Sequence, residues 1–148
     1  MKRLFHTFIV VLTLFIISCS SANFVSSNGD DISKYKYIVF GKENDGDAEL
    51  EDIIMQVQNE LASKFTVISP NSANKILDQG AHILSPRINV KSEKWDGGHT
   101  YITIVFHDYH TNQSIAVLKS SGIGMSVSQD QKRAFSAIKR EIDKLFSN

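Results

Sequence analysis

The sequence predicts a single domain of the α/β (α+β) class, in which helices pack on a mixed β-sheet. The first observation that predicts it is the period of the apolar residues: runs with the two-residue period of a strand alternate along the chain with runs that have the period of a helix, about 3.6 residues. The second is the order of these runs, β-α-β-α-β-β-β-α. In this order the first two crossovers favour parallel pairing and the last three strands favour an antiparallel meander.

The first half of the domain is predicted to hold two strands and two helices. Residues 35–40 are rich in aromatic and β-branched side chains and end at Gly41, which is typical of a strand. Residues 65–68 form a second short strand. Ser69 and Pro70 are an N-cap and a first helical position, so a short helix begins there and ends at Gly80. The longer helix between the two strands has one apolar face, formed by Leu50, Ile53, Ile54, Val57 and Leu61.

The second half is predicted to be three strands and a final helix. Residues 81–92 are extended, and Pro86 lacks a backbone donor, so we expect an edge position or a bulge there. Residues 100–107 and 114–121 alternate as strands joined by the loop 108–113. Ser126 and Ser128 are competing N-caps for the last helix. Its core stripe is formed by Phe135, Ile138, Ile142 and Leu145.

A hydrophobic leader precedes the domain. Lys2 and Arg3 are followed by residues 4–17, which are mostly apolar but shorter than the roughly 20 residues that span a bilayer. This arrangement is typical of a secretory signal peptide. The sequence Ile-Ile-Ser-Cys at its end resembles the bacterial lipobox, which implies cleavage after Ser18 and a diacylglycerol on Cys19. The alternatives are a buried cysteine in an ordinary helix and a plain signal peptide with a chance cysteine.

These assignments divide the chain into three parts. Residues 1–18 are the signal peptide, residues 19–33 are the acylated cysteine with a flexible tether rich in Ser, Asn, Gly and Asp, and residues 34–148 are the domain. Ser20 and Ser21 stand where enterobacterial lipoproteins retained in the inner membrane commonly carry Asp. We therefore expect attachment to the outer membrane of a bacterium, on its periplasmic face.

The charge balance and the cysteine count exclude several classes of protein and of site. Lys and Arg total 16 and so do Asp and Glu, whereas nucleic-acid-binding modules are usually strongly basic. We therefore expect no nucleic-acid partner. Loss of Lys2 and Arg3 with the leader leaves a net charge of −2. The single cysteine excludes an internal disulfide and a multi-cysteine metal site.

The residues that carry chemistry form no convincing constellation. His107 and His110 are candidates for a weak two-histidine metal site, but we expect solvated loop histidines, because His99 lies about 26 Å from His107 along an extended strand. No G-x-S-x-G nucleophile motif is present. Residues 122–126 lack the Lys-Ser/Thr of a phosphate loop and fit a strand end that meets a helix cap. We therefore predict that the protein is not an enzyme and needs no cofactor.

Two loops are candidate contact surfaces for a partner. Trp95 lies beside the turn 96–98, where an aromatic side chain can anchor an interface or else cover one end of the core. Asp108, Tyr109 and Asn112 belong to the loop 108–113. The basic pairs at 132–133 and 139–140 alternate with acids, which favours a solvated helix face over contact with anionic headgroups.

The strings "YIVFGKENDGD", "LEDIIMQVQNELASKFTVISP", "GAHILSPRINV" and "HDYHTNQS" together resemble a small α/β domain of envelope proteins. It is found in CsgG-like curli-secretion lipoproteins, LpoB-like activators of penicillin-binding proteins and the amino-terminal domain of TolB. His82 replaces the family's usual Asp, and Asn112 replaces Gly at a turn where Asn is the next-best residue. The resemblance implies a domain that binds partners or assembles and does not catalyse.

The sequence thus predicts a lipid-anchored envelope protein whose domain binds another envelope protein or copies of itself. The alternative is a periplasmic lipoprotein that binds a small ligand or a metal ion through His107 and His110.

Overall fold

The computed structural model describes residues 20–26, 31–41, 48–93 and 98–146. Six strands and three α-helices are found in these ranges, together with a 3₁₀ turn at Ile32–Lys34. In chain order they are β1 (Ser20–Ser26), β2 (Tyr37–Ile38), α1 (Ala48–Ala62), β3 (Thr66–Val67), α2 (Pro70–Leu77), β4 (Ile83–Glu93), β5 (His99–Asp108), β6 (Ser114–Gly122) and α3 (Val127–Phe146).

The strands form one mixed sheet in the order β1-β6-β5-β4-β2-β3. β2 pairs in parallel with both β3 and β4, and β4, β5, β6 and β1 pair antiparallel. The predicted fold class, with its parallel crossovers and C-terminal meander, is therefore confirmed. β1 is an additional strand at the sheet edge.

The prediction of a flexible tether over residues 20–33 is wrong for Ser20–Ser26, which form β1. This strand pairs with β6 from Ser20 opposite Gly122 to Ser26 opposite Ala116. Ala22 and Phe24 are half-buried and alternate with exposed residues, and Phe24 packs against the main core. This pairing gives the backbone N–H and C=O groups of β6 hydrogen-bond partners. Without β1, the strand β6 would be a long free edge of the sheet.

The main core lies between one face of the sheet and the helices α1 and α3. Ile102, Ile104 and Phe106 of β5 point to this face and are fully buried. α1 contributes Ile53, Val57 and Leu61, and α3 contributes Ala134, Ile138 and Ile142. Phe135 and Leu145 of the predicted α3 stripe are only partly buried. The side of α3 that lies nearest the sheet carries the small residues Ala134 and Ala137 instead.

A smaller cluster occupies part of the opposite face, under α2. Val39, Ala73 and Ile83 are its buried members, and Tyr109 packs against them. The start of α2 is as predicted, since the Ser69 hydroxyl accepts a hydrogen bond from the Ser72 amide at 3.3 Å and Pro70 is the first helical residue. Gly80, after the helix, has a φ of +77°.

Pro86 lies in β4, which is an inner strand at Ile83 and Leu84, but at Pro86 the β2 side of the strand is no longer paired, so the predicted edge position is found locally. The Leu84 carbonyl accepts from the Val39 amide, so every second residue of β4, Pro86 included, has its backbone polar groups on the β2 side. The parallel ladder pairs Ile83 and Leu84 and goes no further. A missing donor is tolerated there, because the neighbouring strand has already ended.

None of the helices in the described ranges is long and apolar enough to cross a membrane.

Candidate functional site

The loop between β5 and β6 is held by the carboxylate of Asp108. Its Oδ1 accepts hydrogen bonds from the amides of His110 at 3.0 Å and Thr111 at 2.8 Å, and from the Thr111 hydroxyl at 3.1 Å. The Asp108 carbonyl accepts from the Asn112 amide at 2.8 Å. An aspartate that bonds to amides two and three residues ahead is a common way to fix a tight turn.

Asn112 completes this turn with a φ of 55°, in the left-handed region. The sequence predicted this conformation from an Asn at a position where Gly is usual, and the prediction is confirmed. The Asn112 carbonyl lies 3.3 Å from Nδ1 of His107, which donates to it when that nitrogen carries the proton.

The other oxygen of Asp108 ties the turn to the N-terminal part of the domain. Tyr35, which is 4% exposed, donates its hydroxyl proton to Oδ2 at 2.9 Å. The Tyr35 ring meets the His82 ring edge to face at 5.5 Å. Burial of Asp108 acts to raise the pKa of its carboxyl, but hydrogen bonds from Thr111, Tyr35 and His110 outweigh burial and hold the pKa below its usual value.

A cleft of about 460 Å³ lies between the end of α2 and this turn. Asn74, Asp78, His82, His110 and Thr111 contribute its polar lining. The lining side chains are largely exposed. Both oxygens of Asp108, which also lines the cleft, already accept hydrogen bonds from the protein itself.

The candidate metal ligands do not assemble into a metal site. His107 and His110 belong to the same end of the sheet, whereas His99 begins β5 at the other end. No group of three or more His, Cys, Asp or Glu in the described ranges is placed to hold a metal ion. The two-histidine alternative therefore lacks a third ligand among these residues.

The loop residues that were predicted to contact a partner differ in their burial and in their contacts within the domain. Asp108 is the internal support of the turn, and Tyr109 is half-buried against the α2 cluster, where its amide donates to the Ile83 carbonyl at 2.9 Å. Asn112 is exposed. Ser18, Cys19 and Trp95 lie outside the described residues, so their predicted roles stay predictions.

A larger surface, which the sequence did not single out, is the face of the sheet turned away from α1 and α3. We call it the open face, formed by outward-pointing residues of β1, β4, β5 and β6. Val25, Val117 and Val105 lie side by side across β1, β6 and β5, and Arg87 continues the row on β4. Val25 is 63% exposed. Among the described helices only α2 packs on this side, at the β2 end of the sheet.

The rest of the open face is polar with one aromatic pair. Tyr101, which is 38% exposed, stacks on His99 with ring centroids 5.8 Å apart. Lys119 lies between Asn23 and Thr103 in the next row. Aromatic residues and Arg are enriched at protein interfaces, and the open face presents Tyr101 and Arg87.

The carboxylate of Asp130, in the first turn of α3, is buried beneath the connection from β6. Asp130 is 0% exposed, and neither of its oxygens has a hydrogen-bond partner within the part of the chain that the structure describes. Gly98 and Gly124 pass so close that a Cβ at either would contact it. Since water does not reach this carboxylate, it is not available as a catalytic base.

Comparison with solved structures identifies the fold. The chain is similar to the PelC dodecamer from Paraburkholderia phytofirmans, with a TM-score of 0.52 at 15% identity, over 86% of this chain and 98% of that chain. A variant of PelC from the same organism, also a dodecamer, gives a TM-score of 0.49 at 14% identity, over 88% of this chain and 100% of that chain. The first likeness shows a shared fold. No family model matches the sequence, and no curated protein matches it either.

Proposed function

We propose that this protein is a lipid-anchored component of the bacterial envelope whose domain works by binding copies of itself and not by catalysis. The observation that carries the proposal is the open face, where Val25 is 63% exposed and lies in register with two partly buried valines, Val117 and Val105. β-branched side chains on paired strands lose little entropy when a partner covers them.

The fold supports self-association. PelC, the protein of similar fold, is a dodecamer in its crystals. Fold alone does not carry function, but a fold that assembles into a dodecamer in one protein offers edges and faces suited to assembly in another. In this chain the sheet has an edge at β1 and, next to it, a face with little helical cover among the described helices.

The surroundings of two acids, Asp108 and Asp130, support a non-catalytic role. Both oxygens of Asp108 are used to fix a turn, and the carboxylate of Asp130 is sealed from solvent. A general base needs an acceptor that can reach a substrate proton. These two carboxylates are structural.

The position of β1 determines what a lipid on Cys19 would be joined to. Ser20, the next residue, is the first residue of a strand that pairs along its length with β6. A lipid on Cys19 therefore has a direct mechanical connection to the folded domain. The envelope role itself rests on the signal peptide and on the resemblance of its end to a lipobox.

The size of the lipidated chain in detergent tests self-association. We expect an assembly larger than the monomer by sedimentation velocity, and we expect Val25→Asp to dissociate it, because an unpaired charge at an apolar contact costs free energy. Val67→Asp is the matched control, since Val67 is a similarly exposed valine at the opposite edge of the sheet, 49% exposed.

Two outcomes count against this part of the proposal. A wild-type chain that stays monomeric at the highest attainable concentration contradicts self-association. An assembly that survives Val25→Asp, in a variant whose thermal midpoint is unchanged, shows that the open face is not the contact surface.

A further inference from the structure

Two exposed apolar side chains lie in the connection between β6 and α3. Met125 is 95% exposed, which is the highest value among the large apolar residues of the described ranges, and Ile123 is 37% exposed. Isolated apolar residues are common on protein surfaces and need no special explanation. The position of these two side chains relative to the start of β1 indicates a function for them.

The connection begins where β1 begins. Ser20, the first residue of β1, pairs with Gly122, the last residue of β6. Cys19 is joined to Ser20 by one peptide bond, so their Cα atoms are about 3.8 Å apart. An acyl chain on Cys19 would therefore leave the protein next to Ile123 and Met125. The loop and the lipid would approach the bilayer together.

Two arginines of α3 flank the same place. Nη2 of Arg140 donates to the Ser20 hydroxyl at 3.4 Å, and Nη1 of Arg133 donates to the Ile123 carbonyl. The two residues are about 10 Å apart along the helix axis. A hydrogen bond to a neutral oxygen leaves the charge of a guanidinium uncompensated.

Two of the other cations of the same helix are in a different situation. Lys139 forms an ion pair with Glu60 at 2.5 Å, and Lys144 forms one with Glu141 at 2.6 Å. Neither Arg133 nor Arg140 forms an ion pair with a carboxylate of the described residues. The charges beside Ser20 therefore remain available to an external anion.

We propose that Ile123, Met125, Arg133 and Arg140 form a membrane-contact surface for a bilayer with anionic headgroups. Met125 and Ile123 enter the boundary between headgroups and acyl chains, and the guanidinium groups of the two arginines bind lipid phosphates, for which Arg has suitable geometry. This inference rests on the proposed anchoring at Cys19 and adds a second attachment, which fixes the orientation of the domain.

That orientation follows from the sheet. β6 runs over nine residues from Ser114 to Gly122, a length of about 27 Å. The Asp108 turn is at the Ser114 end, and the contact surface is at the Gly122 end. With Ile123 and Met125 at the bilayer, the Asp108 turn faces away from the membrane and the open face stays available to a neighbour on the same membrane.

The depth of position 125 in a bilayer tests the proposal. In the lipidated full-length chain the sulfur of Cys19 is blocked, so Met125→Cys supplies the single free thiol for an environment-sensitive fluorophore. The chain is reconstituted in vesicles of phosphatidylethanolamine and phosphatidylglycerol that carry a quencher on their acyl chains. We expect a blue shift and loss of most of the fluorescence at position 125. Met55→Cys, at a methionine of α1 that is 53% exposed, is the matched control and should keep its fluorescence.

Charge reversal tests the arginines in the same labelled chain. Arg140→Glu should weaken the quenching at position 125, and Lys75→Glu, at an exposed lysine of α2, should leave it unchanged. Equal quenching at positions 125 and 55, in chains that float with the vesicles, overturns the contact surface and leaves the anchoring intact. Chains that do not float with the vesicles overturn both proposals.

Discussion

Asp108 shows how one side chain fixes the position of a whole loop. Its two oxygens accept from residues on both sides, with Thr111 and His110 of its own turn on Oδ1 and Tyr35 on Oδ2. These donors favour the charged form, which is why the pKa of Asp108 lies below its usual value although burial opposes ionisation. The turn should therefore be sensitive to acid.

We expect Asp108→Asn to destabilise the domain at pH 7 by about 1–3 kcal/mol, because hydrogen bonds to a charged acceptor are the strong ones. A pKa that is lower in the folded state contributes stability above the unfolded pKa, and this stability is lost as the pH falls through the folded value. The difference between wild type and variant should consequently shrink below about pH 4. Urea unfolding between pH 7 and pH 3 measures it.

His110→Ala is the control for this experiment. It keeps the backbone amide that donates to Asp108 and removes only an exposed imidazole, so the free energy of unfolding should stay close to that of wild type. Parallel loss of stability in the wild type and in Asp108→Asn over the whole pH range would show that the carboxylate does not act through its charge.

The packing of α3 on the end of β6 depends on a position without a side chain. A Cβ at Gly122 would collide with the carbonyl of Asp130 and the amide of Ala134, both of which belong to the helix backbone. Backbone atoms cannot rotate away, so α3 would have to move off the sheet. We expect Gly122→Ala to lower the free energy of unfolding by about 1–3 kcal/mol or more, measured by urea denaturation.

Gly41→Ala is the matched control, because a Cβ there has no atom within 4 Å. We expect no loss of stability from it. Equal effects of the two substitutions would mean that the helix is free to adjust, and the close contact between β6 and α3 would then have no energetic consequence.

The elements that the sequence predicted well are those whose signal is local. α1 and α3 each have several turns of apolar periodicity, and Ser69 with Pro70 marks the start of α2 whatever the rest of the chain does. β1 was missed, since its inward side chains are only Ala22 and Phe24 and its partner lies about 100 residues away along the chain. Strand pairing at that distance leaves little trace in a short window.

The difference between local signals and pairing of distant strands also explains which parts of the candidate sites could be predicted. The left-handed turn at Asn112 follows from its own residue type and neighbours. The open face in its full width and the surface around Met125 cannot be predicted from local residue types, because both depend on the pairing of β1 with β6. Before that pairing is known, Met125 is an ordinary loop residue and Arg140 an ordinary surface cation.

At the scale of the whole molecule, the pairing of β1 changes what a lipid on Cys19 would do. A flexible tether of about 14 residues would let the domain explore on the order of 20 Å above a membrane. With Ser20 already in the sheet, the domain would instead lie against the bilayer at the Gly122 end. A short, stiff connection favours assembly of neighbours on one membrane, because all copies share one orientation.

Attachment itself is tested by removing the acylated residue. We expect Cys19→Ala to shift the full-length protein out of the washed membrane fraction and to abolish incorporation of an alkyne-bearing palmitate, since each buried CH₂ of an acyl chain contributes about 0.8 kcal/mol to membrane binding. Ser18→Ala is the matched control, because it keeps a small residue before the cleavage point and should leave both readouts unchanged. If Cys19→Ala remains in the membrane fraction and incorporates the palmitate as the wild type does, Cys19 is not the anchor. The orientation derived from β1 would then lose its basis, while the fold and the turn at Asp108 would stand as described.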